Sequence, residues 1–213
     1  MERINRVWCA TVLSGLTACA SIAVPEIGFK GSPYFEDPPA QILFSDKEMF
    51  NQALSLQYKG QLKPAINFWQ QFLIEHTKSF EALNNLGMAY YSNDELDKAI
   101  QSFETALELE PGNERIKKNL RRTLRFRITL HKENREYPPT IKDLEKISSL
   151  SSEDQKEKIL REIEDLQEKI FAEVERINTV AEYQNFLATY PTGFYADKTR
   201  EKLKELTPQT VEI

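Results

Sequence analysis

The chain has few residues of the types that catalytic and metal sites require. Its 213 residues include two histidines, two cysteines and seven glycines. Neither His76 nor His131 has a second histidine or a cysteine at the spacing of a metal site. The sequence contains no Cys-x-x-Cys, no His-Glu-x-x-His, no phosphate-binding glycine loop and no nucleophile elbow. We therefore expect a protein that is not an enzyme and has neither a metal site nor a cofactor.

Both cysteines lie near the N-terminus, at Cys9 and Cys19. Cys9 belongs to a short apolar run, Val7 to Ala18, that follows a basic segment. A basic start, an apolar stretch and small residues before a cleavage site are typical of an export signal. Removal of residues 1–18 would leave Cys19 as the one remaining cysteine, so no disulfide could form within a single mature chain.

The apolar run ends in Leu16-Thr17-Ala18-Cys19, which resembles the lipobox of bacterial lipoproteins. The resemblance implies that residues 1–18 are a lipoprotein signal peptide and that Cys19 is lipidated. It also implies a location in the cell envelope, anchored in a membrane by the lipid. The absence of Asp after Cys19 favours the outer membrane, facing the periplasm, by similarity to enteric sorting rules.

Two other interpretations of the N-terminus remain open. An ordinary signal peptidase could cut after Ala20 or Ala23, which would release a secreted protein. Without cleavage, Val7 to Val24 gives about 18 residues, near the lower limit for a membrane-spanning helix.

Composition favours helices and argues against nucleic acid as a partner. Hydrophobic residues make up 40% of the chain, and strand-like alternation is rare. The formal net charge is −5, so the overall basic character of nucleic-acid-binding domains is missing.

Residues 19–45 are predicted to be a tether that follows the lipidated cysteine. Prolines and glycines interrupt this segment, and its apolar residues show no helical period. A flexible chain of this length reaches roughly 25–30 Å. Alternatively, its second half packs over the following domain through apolar side chains (Tyr34, Phe35, Ile42, Leu43 and Phe44).

Residues 80–113 show the clearest pattern in the chain. They contain Leu83-x2-Leu86-Gly87-x2-Tyr90, then Ala99-x3-Phe103-x2-Ala106, then Pro111. These residues resemble the tetratricopeptide repeat, a helix-turn-helix unit of about 34 residues. Residues 46–79 resemble a more divergent copy, in which Trp69 takes the place of Phe103. The resemblance implies an all-α, tetratricopeptide-type solenoid with helices near 46–59, 62–76, 80–92 and 96–109.

Two repeats need a further helix to cover their apolar end, and residues 114–131 are predicted to supply this capping helix. Its apolar residues recur every four positions, whereas its other faces are strongly basic. The basic faces could be solvated and paired with Glu104, Glu108 or Glu110. They could also lie on anionic lipid headgroups, or they could continue the groove of the repeats.

In tetratricopeptide arrays the first helix of each repeat lines a groove that binds partner segments. If the basic helix continues the array, its groove residues are all cations. An acidic peptide segment, or one with a free C-terminal carboxylate, would suit such a groove. The resemblance gives a set of candidate groove residues (Phe50, Leu54, Tyr58, Asn84, Met88, Tyr91, Arg115, Lys118, Arg122 and Arg125).

Residues 132–150 are predicted to be a linker in which Pro138-Pro139 ends the array and a short helix covers about 140–148. Ser151-x-x-Asp154 resembles a capping box that opens a long helix over 152–177. Residues 179–190 and 194–206 are predicted to form a C-terminal helical hairpin, so that 151–213 is a second unit. The apolar stripe of the long helix either packs back on the chain or dimerises (Ile159, Ile163, Leu166, Ile170, Val174 and Ile177).

These features favour a membrane-tethered scaffold or adaptor that binds other envelope proteins. In the alternative, the protein is a structural subunit docked through its long C-terminal helix, and the chain's own tether fills the groove. The sequence does not determine the oligomeric state.

Overall fold

The computed structural model describes residues 34–207, so the predicted signal peptide, Cys19 and the first part of the tether lie outside the described residues. All regular structure between residues 34 and 207 is helical, which confirms the predicted all-α class. Short turns connect the successive helices, which are α1 Phe44–Tyr58, α2 Leu62–Glu75, α3 Phe80–Ser92, α4 Leu96–Leu109, α5 Glu114–Glu133, α6 Tyr137–Ser149, α7 Glu153–Ile177, α8 Val180–Thr189 and α9 Phe194–Leu206.

Consecutive helices pack on each other, as in a helical solenoid. The first four correspond closely to the helices that the two repeat patterns predict. The crossing of α3 and α4 depends on Gly87, because a Cβ atom at this position would lie 2.7 Å from a ring carbon of Phe103. Only glycine lets these two helices approach so closely.

Three turns share one geometry, including one that the sequence does not predict. Gly60, Asp94 and Arg135 all adopt the left-handed conformation, with φ of 72°, 63° and 60°. In each turn the next N–H donates to the carbonyl five residues earlier (Gln61 to Leu56, Glu95 to Tyr90 and Glu136 to His131). The predicted capping helix α5 is therefore the first helix of a third hairpin, α5–α6.

The short helix predicted within 132–150 is present as α6, but it begins at Tyr137, before the two prolines. Pro138 and Pro139 lie in the first turn of α6, where an N–H has no partner within the helix and proline is tolerated. The helix packs against both α5 and α7. Arg127 of α5 holds it through two hydrogen bonds to the buried Asp143, 2.8 Å to Oδ2 and 2.6 Å to Oδ1. These bonds raise the pKa of the Arg127 guanidinium.

The long helix α7 packs back on the chain, as one of the two alternatives predicts. Ile159, Ile163 and Leu166 are buried, and α7 contacts α6, α8 and α9. The predicted capping box is absent, because Ser151 Oγ donates to the carbonyl of Ile147 at 2.7 Å. Ser152 precedes the helix and makes no side-chain capping bond.

A buried polar chain joins the first three helices. The indole N–H of Trp69 donates to Gln57 Oε1 at 2.9 Å, and Gln57 Nε2 donates to the carbonyl of Asn85 at 3.1 Å. This chain fixes how α1 and α2 sit against α3. Across residues 34–207, none of the helices combines the length and apolar character needed to cross a membrane.

Candidate peptide-binding groove

The first helices of the three hairpins, α1, α3 and α5, lie side by side and form one face of the molecule. A non-helical stretch of the chain, residues 34–43, precedes α1. Tyr34, Phe35 and Glu36 cross the face of α1, α3 and α5, and we call these three residues the resident segment. The packing alternative for the second half of the tether is therefore correct for Tyr34, Phe35 and Ile42, which pack against the core. It is wrong for Leu43 and Phe44, which are exposed.

The backbone of Glu36 is held at two points by one side chain. Its N–H donates to Asn85 Oδ1 at 2.8 Å, and its carbonyl accepts from Asn85 Nδ2 at 2.9 Å. A primary amide has one acceptor oxygen and one donor nitrogen, so it can pair with both polar groups of one extended residue. This contact depends on the backbone conformation of the bound segment and not on its side chains.

Two further amides hold the carbonyl of Tyr34, which accepts from Asn84 Nδ2 at 2.9 Å and from Asn119 Nδ2 at 2.8 Å. The amides also bond to one another, since Asn119 donates to Asn84 and Asn84 donates to Asn85. All three side chains are buried. A buried network of this kind holds its members in one arrangement and fixes the register of the segment.

The carboxylate of Glu36 lies at the N-terminus of α5. Its Oε1 accepts from Asn113 Nδ2 at 3.0 Å, and its Oε2 forms an ion pair with the Arg115 guanidinium. Asn113 is held in place because its Oδ1 caps α5, accepting from the N–H groups of Arg115 and Ile116. The positive end of the helix dipole adds to the attraction for an anion. The side chain of Glu36 is only 11% exposed.

Aromatic rings line the remainder of the site. The Arg122 guanidinium lies 4.8 Å from the Tyr34 ring centroid and 5.2 Å from that of Tyr91, within cation–π range. Phe126 packs edge-on against Tyr91 at 6.1 Å. On the other side of the segment, the ring of Phe35 lies 4.9 Å from the ring of Tyr58 in α1.

The structure brings half of the candidate groove residues to this site: Asn84 and Arg115 bond to the resident segment, Tyr58 and Arg122 contact its rings, and Tyr91 lies beneath Arg122. Phe50, Leu54 and Met88 are instead buried in the core.

Phe50 shows why the first helix differs from the expectation. Its ring contacts those of Trp69 and Phe72 in α2, at 4.7 Å and 5.4 Å between centroids. The position is therefore part of the interior between α1 and α2, and a partner cannot reach it.

The last two candidates, Lys118 and Arg125, are exposed on α5. Within residues 34–207 Lys118 forms no ion pair. Arg125 lines an open crevice together with Lys132 of α5 and Glu162 of α7. Of the four predicted α5 positions, Arg115 and Arg122 contact the resident segment. Between them, Asn119 and not Lys118 bonds to it. Asn85, Asn113 and Asn119 also bond to the resident segment but were not identified from the sequence. The 34-residue spacing of Asn85 and Asn119 is the signal that could have identified the last of them.

The cations of α5 have divided roles. Arg115 and Arg122 contact the resident segment, whereas Arg127 pairs with Asp143 and Asp97, and Lys132 pairs with Glu162. The pairing with Glu104 that one alternative proposes is absent, because Glu104 pairs with Lys146 of α6 at 2.8 Å. Glu108 and Glu110 likewise form no ion pair with α5 in the described part of the chain.

Comparison with known protein families agrees with the geometry. The model of the tetratricopeptide repeat matches residues 80–113, the stretch in which the sequence pattern is clearest. The chain therefore contains a tetratricopeptide repeat, formed by α3, α4 and the turn that leads into α5. Such repeats suggest a role in protein–protein interaction and are generally scaffolds without catalytic activity. A search of curated proteins returned no match to this chain.

Proposed function

We propose that this protein is a membrane-tethered adaptor of the bacterial cell envelope. Its groove, formed by α1, α3 and α5, captures an extended segment of another envelope protein. The observation that carries the proposal is the resident segment, because its backbone is held by three buried amides. A site that pairs with backbone groups and adds a few side-chain contacts is suited to extended peptides.

The chemistry of the groove favours a segment with an acidic side chain. Arg115, Asn113 and the N-terminus of α5 converge on one carboxylate. In the resident segment that carboxylate belongs to an internal glutamate, and Asp37 follows it in the chain. We therefore favour an internal acidic residue in the partner over a C-terminal carboxylate.

The envelope location is supported by the sequence Leu16-Thr17-Ala18-Cys19. If Cys19 carries the lipid, the groove must lie close to the membrane, because the chain is bound to the groove at Tyr34. Fifteen residues of extended chain span at most about 50 Å. Cys19→Ala should abolish the incorporation of radiolabelled fatty acid and the pelleting of the protein with membranes. Retention of both would contradict the anchor.

Two substitutions that each remove one positive charge from α5 test the adaptor role. Arg115→Ser removes the cation that binds the carboxylate, whereas Lys118→Ser removes an exposed cation three residues later on the same helix. After crosslinking in intact cells, Arg115→Ser should lose the partner that wild-type protein captures, and Lys118→Ser should keep it. Equal partner recovery from all three proteins would count against the groove.

The alternative function, a structural subunit, is favoured by the same resident segment, since the chain's own residues occupy the groove. Docking would then use α7, where Leu160 is 58% exposed outside the buried stripe. In this case Leu160→Glu would remove the protein from its complex, and Arg115→Ser would not. The neighbouring exposed residue Arg161 provides a control, Arg161→Glu.

A further inference from the structure

The resident segment indicates the chemistry of the partner that the groove accepts. We propose that Tyr34–Glu36 is an internal ligand, and that the partner displaces it with an extended segment carrying an aromatic residue two positions before a glutamate or aspartate. The inference rests on the proposed adaptor function and defines its specificity.

The two-residue spacing follows from the geometry of an extended chain. Side chains at positions i and i+2 of an extended backbone point to the same side, and the residue between them points to the other. Tyr34 and Glu36 accordingly both meet α5, at Arg122 and Arg115. Phe35 meets α1 on the opposite side, at Tyr58.

The register is fixed independently of these side chains. Asn84 and Asn119 hold the carbonyl of the first residue, and Asn85 holds the N–H and carbonyl of the third. A segment that satisfies all three amides must therefore place its side chains at the two α5 subsites. The first subsite selects an aromatic ring, through cation–π contact with Arg122, and the second selects a carboxylate.

The acidic subsite distinguishes between neighbouring residues of the chain. Glu36 is largely buried against Asn113 and Arg115, whereas Asp37 is exposed. The geometry therefore selects one acidic position and does not respond to the general charge of the segment.

The resident segment leaves part of the groove unused, which favours its exchange for a longer partner. Phe126 and Leu130 continue the face of Asn119 and Arg122 at helical spacing and are 39% and 40% exposed. The chain runs from Tyr34 near Arg122 to Glu36 near Arg115. Apolar residues that precede the aromatic residue of a partner would therefore lie over Phe126 and Leu130. Asn119 Oδ1, buried and without a partner in the described residues, could accept an N–H from the same segment.

An internal ligand competes at a high local concentration. The resident segment is joined to α1 by seven residues, 37–43, and short linkers give effective concentrations in the millimolar range. A free peptide with a dissociation constant of about 100 μM should therefore bind the wild-type groove at least roughly 10-fold more weakly than an unoccupied one.

The test uses the full chain, purified from membranes in detergent, and a fluorescent peptide with the sequence of residues 32–38 (SPYFEDP). Fluorescence anisotropy compares the wild type with the double variant Tyr34→Ala/Glu36→Ala, which removes both side-chain contacts with α5 and so weakens the binding of the resident segment. Asp37→Ala is the matched control. The double variant should bind the peptide at least about 10-fold more tightly than the wild type, and Asp37→Ala should behave as the wild type.

Two further measurements test the specificity. Adding Arg115→Ser to the double variant should weaken peptide binding about 10-fold or more, and a peptide with lysine in place of glutamate should not bind. Equal binding of both peptides, or equal binding by the wild type and the double variant, would overturn the proposal. Circular dichroism with thermal melting of each variant establishes that the proteins compared are folded, and the lysine peptide tests the acidic subsite without any change to the protein.

The outcomes also separate this inference from the adaptor function. If crosslinking captures an Arg115-dependent partner but the peptide does not compete with it, the specificity is wrong and the adaptor function stands. If the peptide binds as expected but no partner depends on Arg115, the internal ligand stands and the adaptor function fails. A wild-type dimer in light scattering that becomes monomeric in the double variant would mean exchange between two copies, which overturns the internal ligand.

Discussion

Gly87→Ala offers a quantitative test of the repeat geometry. The new Cβ atom would lie 2.7 Å, 2.9 Å and 2.9 Å from three ring carbons of Phe103. Comfortable contacts between carbon atoms are about 3.5–4.0 Å, so the ring or the helix must move by roughly 0.8 Å or more. Phe103 has no exposed surface and cannot swing into solvent.

Two effects of opposite sign determine how Gly87→Ala changes the free energy of unfolding. Alanine is favoured over glycine in a helix by about 1 kcal/mol. Overpacking a filled core costs about 1–3 kcal/mol, and this site should lie at the upper end because the backbone of α3 carries the new atom. We expect Gly87→Ala to lower the free energy of unfolding by about 1–2 kcal/mol. For a chain of this size the melting temperature should fall by about 2–8 °C.

Chemical and thermal denaturation followed by circular dichroism measure this change. Gly112→Ala is the control, since a Cβ there has no atom within 4 Å and its backbone is not left-handed. The control should leave stability unchanged or raise it by about 0.4–1 kcal/mol. Replacing Phe103 by leucine in the Gly87→Ala background should recover part of the loss in a double-mutant cycle. Wild-type or greater stability of Gly87→Ala would refute the close crossing of α3 and α4.

Further substitutions test the third hairpin and the C-terminal helices. Arg127→Met should lower the free energy of unfolding by about 2–4 kcal/mol in urea titration, because Asp143, only 4% exposed, loses its paired cation. Arg125→Met, at an exposed position of the same helix, should change the free energy of unfolding by less than about 0.5 kcal/mol. Equal losses in the two variants would contradict a stabilising role for the Arg127–Asp143 ion pair. Tyr190→Phe removes a buried hydroxyl that has no partner in the described residues and should be neutral or stabilising by about 1 kcal/mol. Burial also raises the pKa of Tyr190, so the folded state holds its proton more tightly and wild-type stability should fall as pH rises above about 10. Burial raises the pKa of Tyr183 and Tyr195 as well, so the alkaline decline in Tyr190→Phe should be smaller than in the wild type and not absent. An unchanged decline would assign it to those other tyrosines.

The repeats could be predicted because their geometry requires particular residue types at fixed positions. Gly87 and Phe103 meet where two helices cross, and a Cβ atom at position 87 would clash with the ring of Phe103. The third hairpin could not be predicted in the same way. Its turn places Arg135 in a left-handed conformation where the sequence offers no glycine, and Pro138-Pro139 resembles a helix end although it lies in a first turn.

The groove was predicted only in part, because the rotation of a helix about its axis is decided by packing. Asn84 and Asn85 are adjacent, and a rotation of about 100° determines which of them faces a ligand. In α3 both contribute, since Asn84 reaches Tyr34 and Asn85 reaches Glu36. In α5 the burial of Ile116 and Leu120 turns Asn119 toward the groove in place of Lys118.

The central claim is that the face of α1, α3 and α5 binds another protein. Site-specific photocrosslinking in intact cells tests it most directly, with a photoreactive residue at Phe126 in the groove or at Ile74, which is 71% exposed on α2. We predict an adduct with one envelope protein from position 126, its loss when Arg115→Ser is added, and no such adduct from position 74. The same adducts from both positions, or adducts from position 126 that do not depend on Arg115, would contradict the claim.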